Sequence, residues 1–233
     1  ASRLNPADSS AHNNLGNVYS ILGNYSAAMS EYKKAISADY NNAIAHNGLG
    51  NSYLVLGRYS EAVLEYNAAI KIDKSYAQPW VGMGDLALIV GMNKEAAASY
   101  EIALKLEPNN ILANNNLGGA YIRLKKYSLA IKTLKKVIKI DQNYAAAYHN
   151  LGIAYLNIGK EKEAIENFRK ALMLDPATSL DTIPAEVREK IRSNKGSSPV
   201  NASIRIYADK NDIRGLEVYG VVFENSTTFA QGR

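Results

Sequence analysis

The chain has 233 residues, 47% of them apolar, and a formal charge of +5 with an isoelectric point near 9.1. That apolar content is too high for a mainly disordered chain, and the charge is scattered rather than gathered in blocks, which argues against a nucleic-acid arm. Cysteine is absent and histidine occurs three times, so disulfides, thiolate metal sites and a convincing zinc centre are excluded. No run of about 18 apolar residues offers a transmembrane helix, and the first residues carry no signal-peptide pattern.

In chain order, the first organised segment is residues 9–42, and the next four blocks repeat it: 43–76, 77–110, 111–144 and 145–178. Gly16, Gly50, Gly84, Gly118 and Gly152 fall 34 residues apart, and so do Ala28, Ala62, Ala96, Ala130 and Ala164. Two further registers keep step: Tyr19, Tyr53, Ala87, Tyr121, Tyr155, and Tyr32, Tyr66, Tyr100, Leu134, Phe168. A fixed period of this length marks a stacked repeat architecture. Inside a block the apolar spacing is helical, as in Leu49, Tyr53, Leu56 and then Ala62, Tyr66, Ala69, Ile70. Each block therefore reads as two short helices. Gly23, Gly57, Gly91 and Gly159 fall between the halves, where a left-handed backbone is easiest without a Cβ; Lys125 holds that place in the fourth block.

The string NLGNVYSILGNYSAAMSEYKKAISAD and its four successors resemble tetratricopeptide repeats, with Trp80, Pro108 and Pro176 at further positions of that family. The resemblance spans residues 9–178 and implies an all-α solenoid, a right-handed superhelix of antiparallel helix pairs. It further implies a concave face made by the first helix of each pair, on which proteins or peptides bind. Stacking supplies the quasi-one-dimensional core that a single helix pair cannot build alone. Residues 1–8 extend the period backwards, since Ala1 and Leu4 precede Ala35 and Ala38 by 34 residues and Pro6 so precedes Tyr40. They read as the end of another repeat and the chain as part of a longer one.

The concave face implied by the resemblance would be lined by the fifth, sixth and ninth residues of each block, and these are rich in asparagine. The candidates are Asn13, Asn14, Asn17, Asn47, Asn51, Asp85, Asn115, Asn116, His149 and Asn150, with Gly48 and Gly82 breaking the series. An amide both donates and accepts, so a ladder of amides can grip a main chain with little demand on side chains. The superhelical repeats of O-linked N-acetylglucosamine transferases are similar in carrying NLGN. The cations with which some family members clamp a C-terminal carboxylate are missing from the corresponding positions here.

The fourth block is basic. Lys132, Lys135, Lys136 and Lys139 share one face of its second helix and form a candidate docking surface for an acidic protein, an anionic membrane or nucleic acid. His12 and His46, one repeat apart, read as packing residues, and Asp39, Asp73, Glu107, Asp141 and Asp175 as turn residues. No nucleophile, phosphate loop or paired-carboxylate motif stands out, so the expectation is a non-catalytic scaffold without cofactor, metal or small-molecule substrate.

Beyond residue 178 the period stops. IPAEVREKIRS, starting at residue 183, reads as a capping helix within 179–199, followed by a linker, and residues 200–233 read as a β-hairpin tail or the start of a further domain. Two functions fit this organisation: an interaction scaffold in its own right, or the substrate-recognition arm of a larger enzyme or cell-envelope assembly. An open-ended solenoid also invites end-to-end self-association. Cytoplasm and bacterial periplasm are both compatible with the composition.

Overall fold

The structure, a computed structural model, describes residues 8–181 and 183–193. Among these residues there are eleven α-helices and no strand: α1 (Ser9–Ile21), α2 (Tyr25–Ala38), α3 (Ala43–Val55), α4 (Tyr59–Ile72), α5 (Gln78–Ile89), α6 (Asn93–Leu106), α7 (Ile111–Arg123), α8 (Tyr127–Ile140), α9 (Ala145–Asn157), α10 (Glu161–Leu174) and α11 (Ala185–Ser193). The upstream-repeat reading of residues 1–8, apart from Asp8, lies outside the described residues, as do the linker and the hairpin over 200–233.

Local chemistry sets the helix boundaries. Asp8, Asn24, Asn42 and Asn110 each accept a hydrogen bond from the backbone N–H three residues on, at 2.9–3.1 Å, which satisfies one orphan donor at the start of α1, α2, α3 and α7. At α5 a proline in the first turn takes that role, Pro79 needing no N–H partner. Each first helix ends in the same way. Asn24 N–H bonds Tyr19 O, and Arg58, Met92, Lys126 and Lys160 repeat this five-residue return to Tyr53, Ala87, Tyr121 and Tyr155. The residue before each carries φ between 58° and 81°: Gly23, Gly57, Lys125, Gly91 and Gly159. That is the Schellman stop, and Lys125 adopts it despite its Cβ.

The second helices stop at the periodic acids. Asp39, Asp73, Asp141 and Asp175 accept through Oδ1 from the N–H two residues ahead at 2.8–3.0 Å, an Asx turn that aims the chain into the next pair. The longer Glu107 instead accepts from the Asn110 side chain at 2.9 Å.

Successive helices pack on one another from α1 to α11. Their core is the periodic set: Ala28, Ala62, Ala96, Ala130, Ala164, Tyr66, Tyr100, Leu134 and Phe168 are fully buried, and Tyr32 nearly so. Burying one such large side chain contributes on the order of 2–3 kcal/mol. Gly16, Gly50, Gly84, Gly118 and Gly152 face these side chains, and a Cβ at any of them would lie 2.5–2.7 Å from Tyr32, Tyr66, Tyr100, Leu134 or Phe168 respectively. The fully buried core divides between α4 and α5 into two clusters. At the far end α11 lies on α10 and closes the stack over Leu180, Ile183, Val187 and Ile191, with Arg169 donating to the carbonyls of Lys190 and Ile191.

Candidate functional site

The curvature of the array follows from which helices touch. Alternate first helices meet, α1 with α3, α3 with α5, α5 with α7 and α7 with α9, while no second helix of the described residues meets the next second helix. A stack whose first helices are close and whose second helices are splayed is concave on the first-helix side. The candidate site is that face.

Its chemistry is uneven along the array. The ninth residues of the first three blocks accept a hydrogen bond from a tyrosine of the paired second helix: Tyr32 donates to Asn17 Oδ1 at 2.8 Å, Tyr66 to Asn51 Oδ1 at 2.8 Å and Tyr100 to Asp85 Oδ1 at 2.5 Å. A carboxylate can only accept, so Tyr100 is the donor to Asp85, and the Asn17 and Asn51 oxygens accept in the same register. Where the tyrosine becomes Leu134 or Phe168, the ninth residue is Gly119 or Ile153 and no acceptor is offered. Hydroxyl and acceptor thus occur together. Asn17 and Asn51 are exposed, and with Oδ1 committed their Nδ2 groups are the donors left for a partner.

The fifth residues lie deeper. Asn13 and Asn47 are buried, with Oδ1 atoms out of solvent reach and without a hydrogen bond, and the half-buried His149 has its Nδ1 in the same condition. Burial lowers the His149 pKa from its usual value, which keeps the ring neutral, and its edge packs on Phe168. Asn115 is fully engaged: it donates to Asn116 Oδ1 at 3.2 Å and accepts from Asn150 Nδ2 at 3.0 Å. Asn116 in turn donates to Asp85 Oδ1 at 3.0 Å. Tyr100, Asp85, Asn116, Asn115 and Asn150 therefore form one continuous network across three repeats.

Among the sixth residues, Asn14 is exposed while Asn116 and Asn150 are buried within that network. Gly48 and Gly82, which interrupt the amides, are explained by the same tyrosines: a Cβ there would lie 2.5 Å from the ring of Tyr32 or Tyr66. The interruption makes room for the hydroxyl-bearing rings of the preceding repeat. The amides brought to the surface are those of Asn14, Asn17 and Asn51; the C-terminal amides are spent on each other.

Burial pushes the half-buried Asp85 carboxyl up to about 6, against the opposing pull of the hydrogen bonds from Tyr100 and Asn116. Burial likewise raises the Tyr66 and Tyr100 hydroxyls, helped by the nearby Asp85 charge, so both remain protonated donors at any physiological pH.

All four lysines of the basic face are exposed on α8. Two have local roles: Lys136 donates to the Pro108 carbonyl, and Lys135 lies 5.8 Å from the Tyr155 ring centre. His12 and His46 are buried and paired through Nδ1 with Glu31 and Glu65 at 2.6 and 2.7 Å, which ties first helix to second in the first two repeats. No group of acidic or imidazole side chains among the described residues could hold a metal ion, and no described helix is long and apolar enough to cross a membrane.

An array of antiparallel helix pairs with a polar concave face is a helical-repeat protein. Tetratricopeptide repeat models match residues 14–77, 118–159 and 145–177, together more than half of the chain, and the chain belongs to the tetratricopeptide repeat family. Comparison with curated protein sequences finds no match. Among solved structures, the chain is similar to the MamA protein at 25% identity and TM-score 0.60, over 72% of this chain and 92% of MamA. It is similar to YrrB, described as having an unusual peptide-binding site, at 22% identity and TM-score 0.59, over 81% of this chain and 94% of YrrB. It is also similar to a thermophilic tetratricopeptide repeat protein of Thermus thermophilus at 19% identity and TM-score 0.62, over 79% of this chain and 97% of that one. The last two likenesses speak for the fold alone.

Proposed function

We propose that this chain is a non-catalytic interaction scaffold that holds an extended segment of a partner protein on its concave face, gripped by Asn17 and Asn51. The supporting observation is the tyrosine bond at each of these residues. Tyr32 and Tyr66 hold the amide carbonyls, so the two Nδ2 groups are fixed before a ligand arrives, and less side-chain entropy is lost on binding than with free amides.

Neighbouring repeats are spaced by roughly 10 Å, the packing distance of helices, which is about three residues of extended chain. Two donors at that spacing match two main-chain carbonyls of a strand-like segment. Asn14 extends the polar surface toward the first repeat, whereas Asn115, Asn116 and Asn150 act by holding the wall rigid. Asn13, Asn47 and His149 form the layer beneath. In a longer protein the same groove would serve as a substrate-recognition arm.

A pull-down from native lysate with the 233-residue chain tests this beside two variants, Asn17→Ala with Asn51→Ala, and Lys135→Glu with Lys136→Glu. Loss of the captured partner in the amide variant alone is the expected result. Retention there with loss in the lysine variant would move recognition to the basic face of α8.

A further inference from the structure

The five first helices are almost devoid of charge. α1, α3 and α9 contain no acidic or basic residue beyond histidine, α5 contains Asp85 and α7 contains Arg123 at its C-terminal end. By contrast α10 alone carries Glu161, Lys162, Glu163, Glu166, Arg169 and Lys170. The first helices are thus nearly neutral, with the Asp85 carboxylate in the third repeat and Arg123, whose charge reaches Tyr100, at the end of α7.

The scaffold does not need that charge. Asn17 and Asn51 occupy the same register and accept the tyrosine hydroxyl at 2.8 Å without it. Asp85 nevertheless stands half-buried, and the ion pairs of the described residues do not include it. Both of its hydrogen bonds, from Tyr100 and Asn116, arrive at Oδ1, which fills the lone pairs of that oxygen. A partly desolvated carboxylate that forms no ion pair among the described residues is costly to the free protein.

We infer that Asp85 selects lysine: the segment held in the groove carries an ammonium group that bonds Oδ2, the oxygen to which no hydrogen bond of the described residues is directed. This rests on the groove reading above and adds the partner's chemistry to it. One free oxygen accepts from a point charge, whereas the planar fork of an arginine needs both carboxylate oxygens for its two parallel bonds. With repeats about three extended residues apart, the lysine falls about three residues from the peptide group on Asn51 and about six from that on Asn17. Because the whole chain is basic, with +5 formal charge, a preference for lysine would come from this site and not from the overall field.

The test is selection of random dodecapeptides displayed on phage against the full chain, then fluorescence anisotropy of the strongest binders. Each peptide is measured with Lys, Arg or Gln at its shared cation, against the native chain, Asp85→Asn, and Asn17→Ala with Asn51→Ala. Replacing Lys by Gln should weaken binding to the native chain by roughly ten- to a hundredfold, the range of a charge-assisted hydrogen bond, with Arg between them. Against Asp85→Asn the same replacement should change nothing, and circular dichroism of that variant should match the native chain. Binders without a common lysine, or a Lys-to-Gln loss that survives in Asp85→Asn, overturn the inference. Loss of binding in the Asn17 and Asn51 variant without any lysine dependence would leave the groove standing and remove Asp85's role. Equal binding to that variant, or no binder at all, would overturn both.

Discussion

Replacing Asp85 by asparagine should stabilise the protein at neutral pH, and the gain should fade in mild acid. The carboxyl titrates near 6 in the folded chain against 3.8 for the ordinary group, because burial disfavours its charge. Between those two values the folded state binds more protons than the unfolded state, so stability rises as pH falls through the folded pKa. Above it, the native chain carries a penalty of roughly 3 kcal/mol, from a shift of about two units at 1.36 kcal/mol each. Asn17 and Asn51 show that an amide keeps the tyrosine bond, so Asp85→Asn removes the penalty and retains the contact. Urea unfolding followed by the fluorescence of Trp80, the single tryptophan and a neighbour in α5, reports on this part of the array. The variant should exceed the native chain by up to about 3 kcal/mol near pH 7.5, and by about half of that near pH 5. A variant less stable at neutral pH, or a gap that does not change with pH, would refute the argument from burial.

Four further substitutions test the packing. Gly48→Ala and Gly82→Ala put a Cβ 2.5 Å from the Tyr32 and Tyr66 rings, and thermal melts should show a net loss of about 1–3 kcal/mol for each, whereas Gly119→Ala, which has open space around its Cβ, should gain about 0.5–1 kcal/mol. Lys125→Gly relieves the only non-glycine left-handed residue of the described chain, at φ 58°, and should raise stability by about 1 kcal/mol in the same assay. At the end of the first helix, Val18 in α1 is 50% exposed and Leu22, its C-cap, 62%, while Ser52, the counterpart of Val18 in the second repeat, is 1% exposed. If copies of the chain associate, this exposed apolar pair is where they should meet. Light scattering should then show a concentration-dependent mass that Val18→Asp with Leu22→Asp abolishes, and an unchanged mass would place any association elsewhere.

The helix pairs were legible in the sequence because every copy repeats the same solution to the same packing problem. Small residues at Gly16 and Ala28 and bulky ones at Tyr32 recur at a fixed interval, and the stop at Gly23 recurs with them. Even Lys125 in the glycine place could be anticipated, since the bond pattern around it in the other four repeats admits one backbone conformation there. What the period conceals is depth. It assigns Asn13, Asn17 and Asn14 to one surface, yet the structure buries the first, commits the carbonyl of the second to Tyr32 and exposes the third. The signal that separates them lies in the pairing of registers: tyrosine fifteen residues after an asparagine or aspartate in three repeats, and leucine or phenylalanine after glycine or isoleucine in two.

That pairing ties the core to the concave face. A tyrosine ring that fills the space between two repeats also delivers its hydroxyl to that face, so the residue that stabilises the stack also orients an exposed amide. Removing the hydroxyl by Tyr66→Phe leaves the buried ring in place and frees Asn51. If orientation by the hydroxyl is what gives the groove its grip, peptide affinity should fall by several-fold to about tenfold, as for the loss of one ordinary hydrogen bond's worth of preorganisation. The matching change at Phe168, whose repeat has Ile153 and not an amide at the ninth position, supplies the control: Phe168→Tyr adds a hydroxyl without a ninth-position amide to receive it. Calorimetry on one selected peptide would separate the two, since a weaker Tyr66→Phe complex with an unchanged Phe168→Tyr complex ties affinity to the pair, and equal affinities in all three proteins would reduce the tyrosines to packing alone.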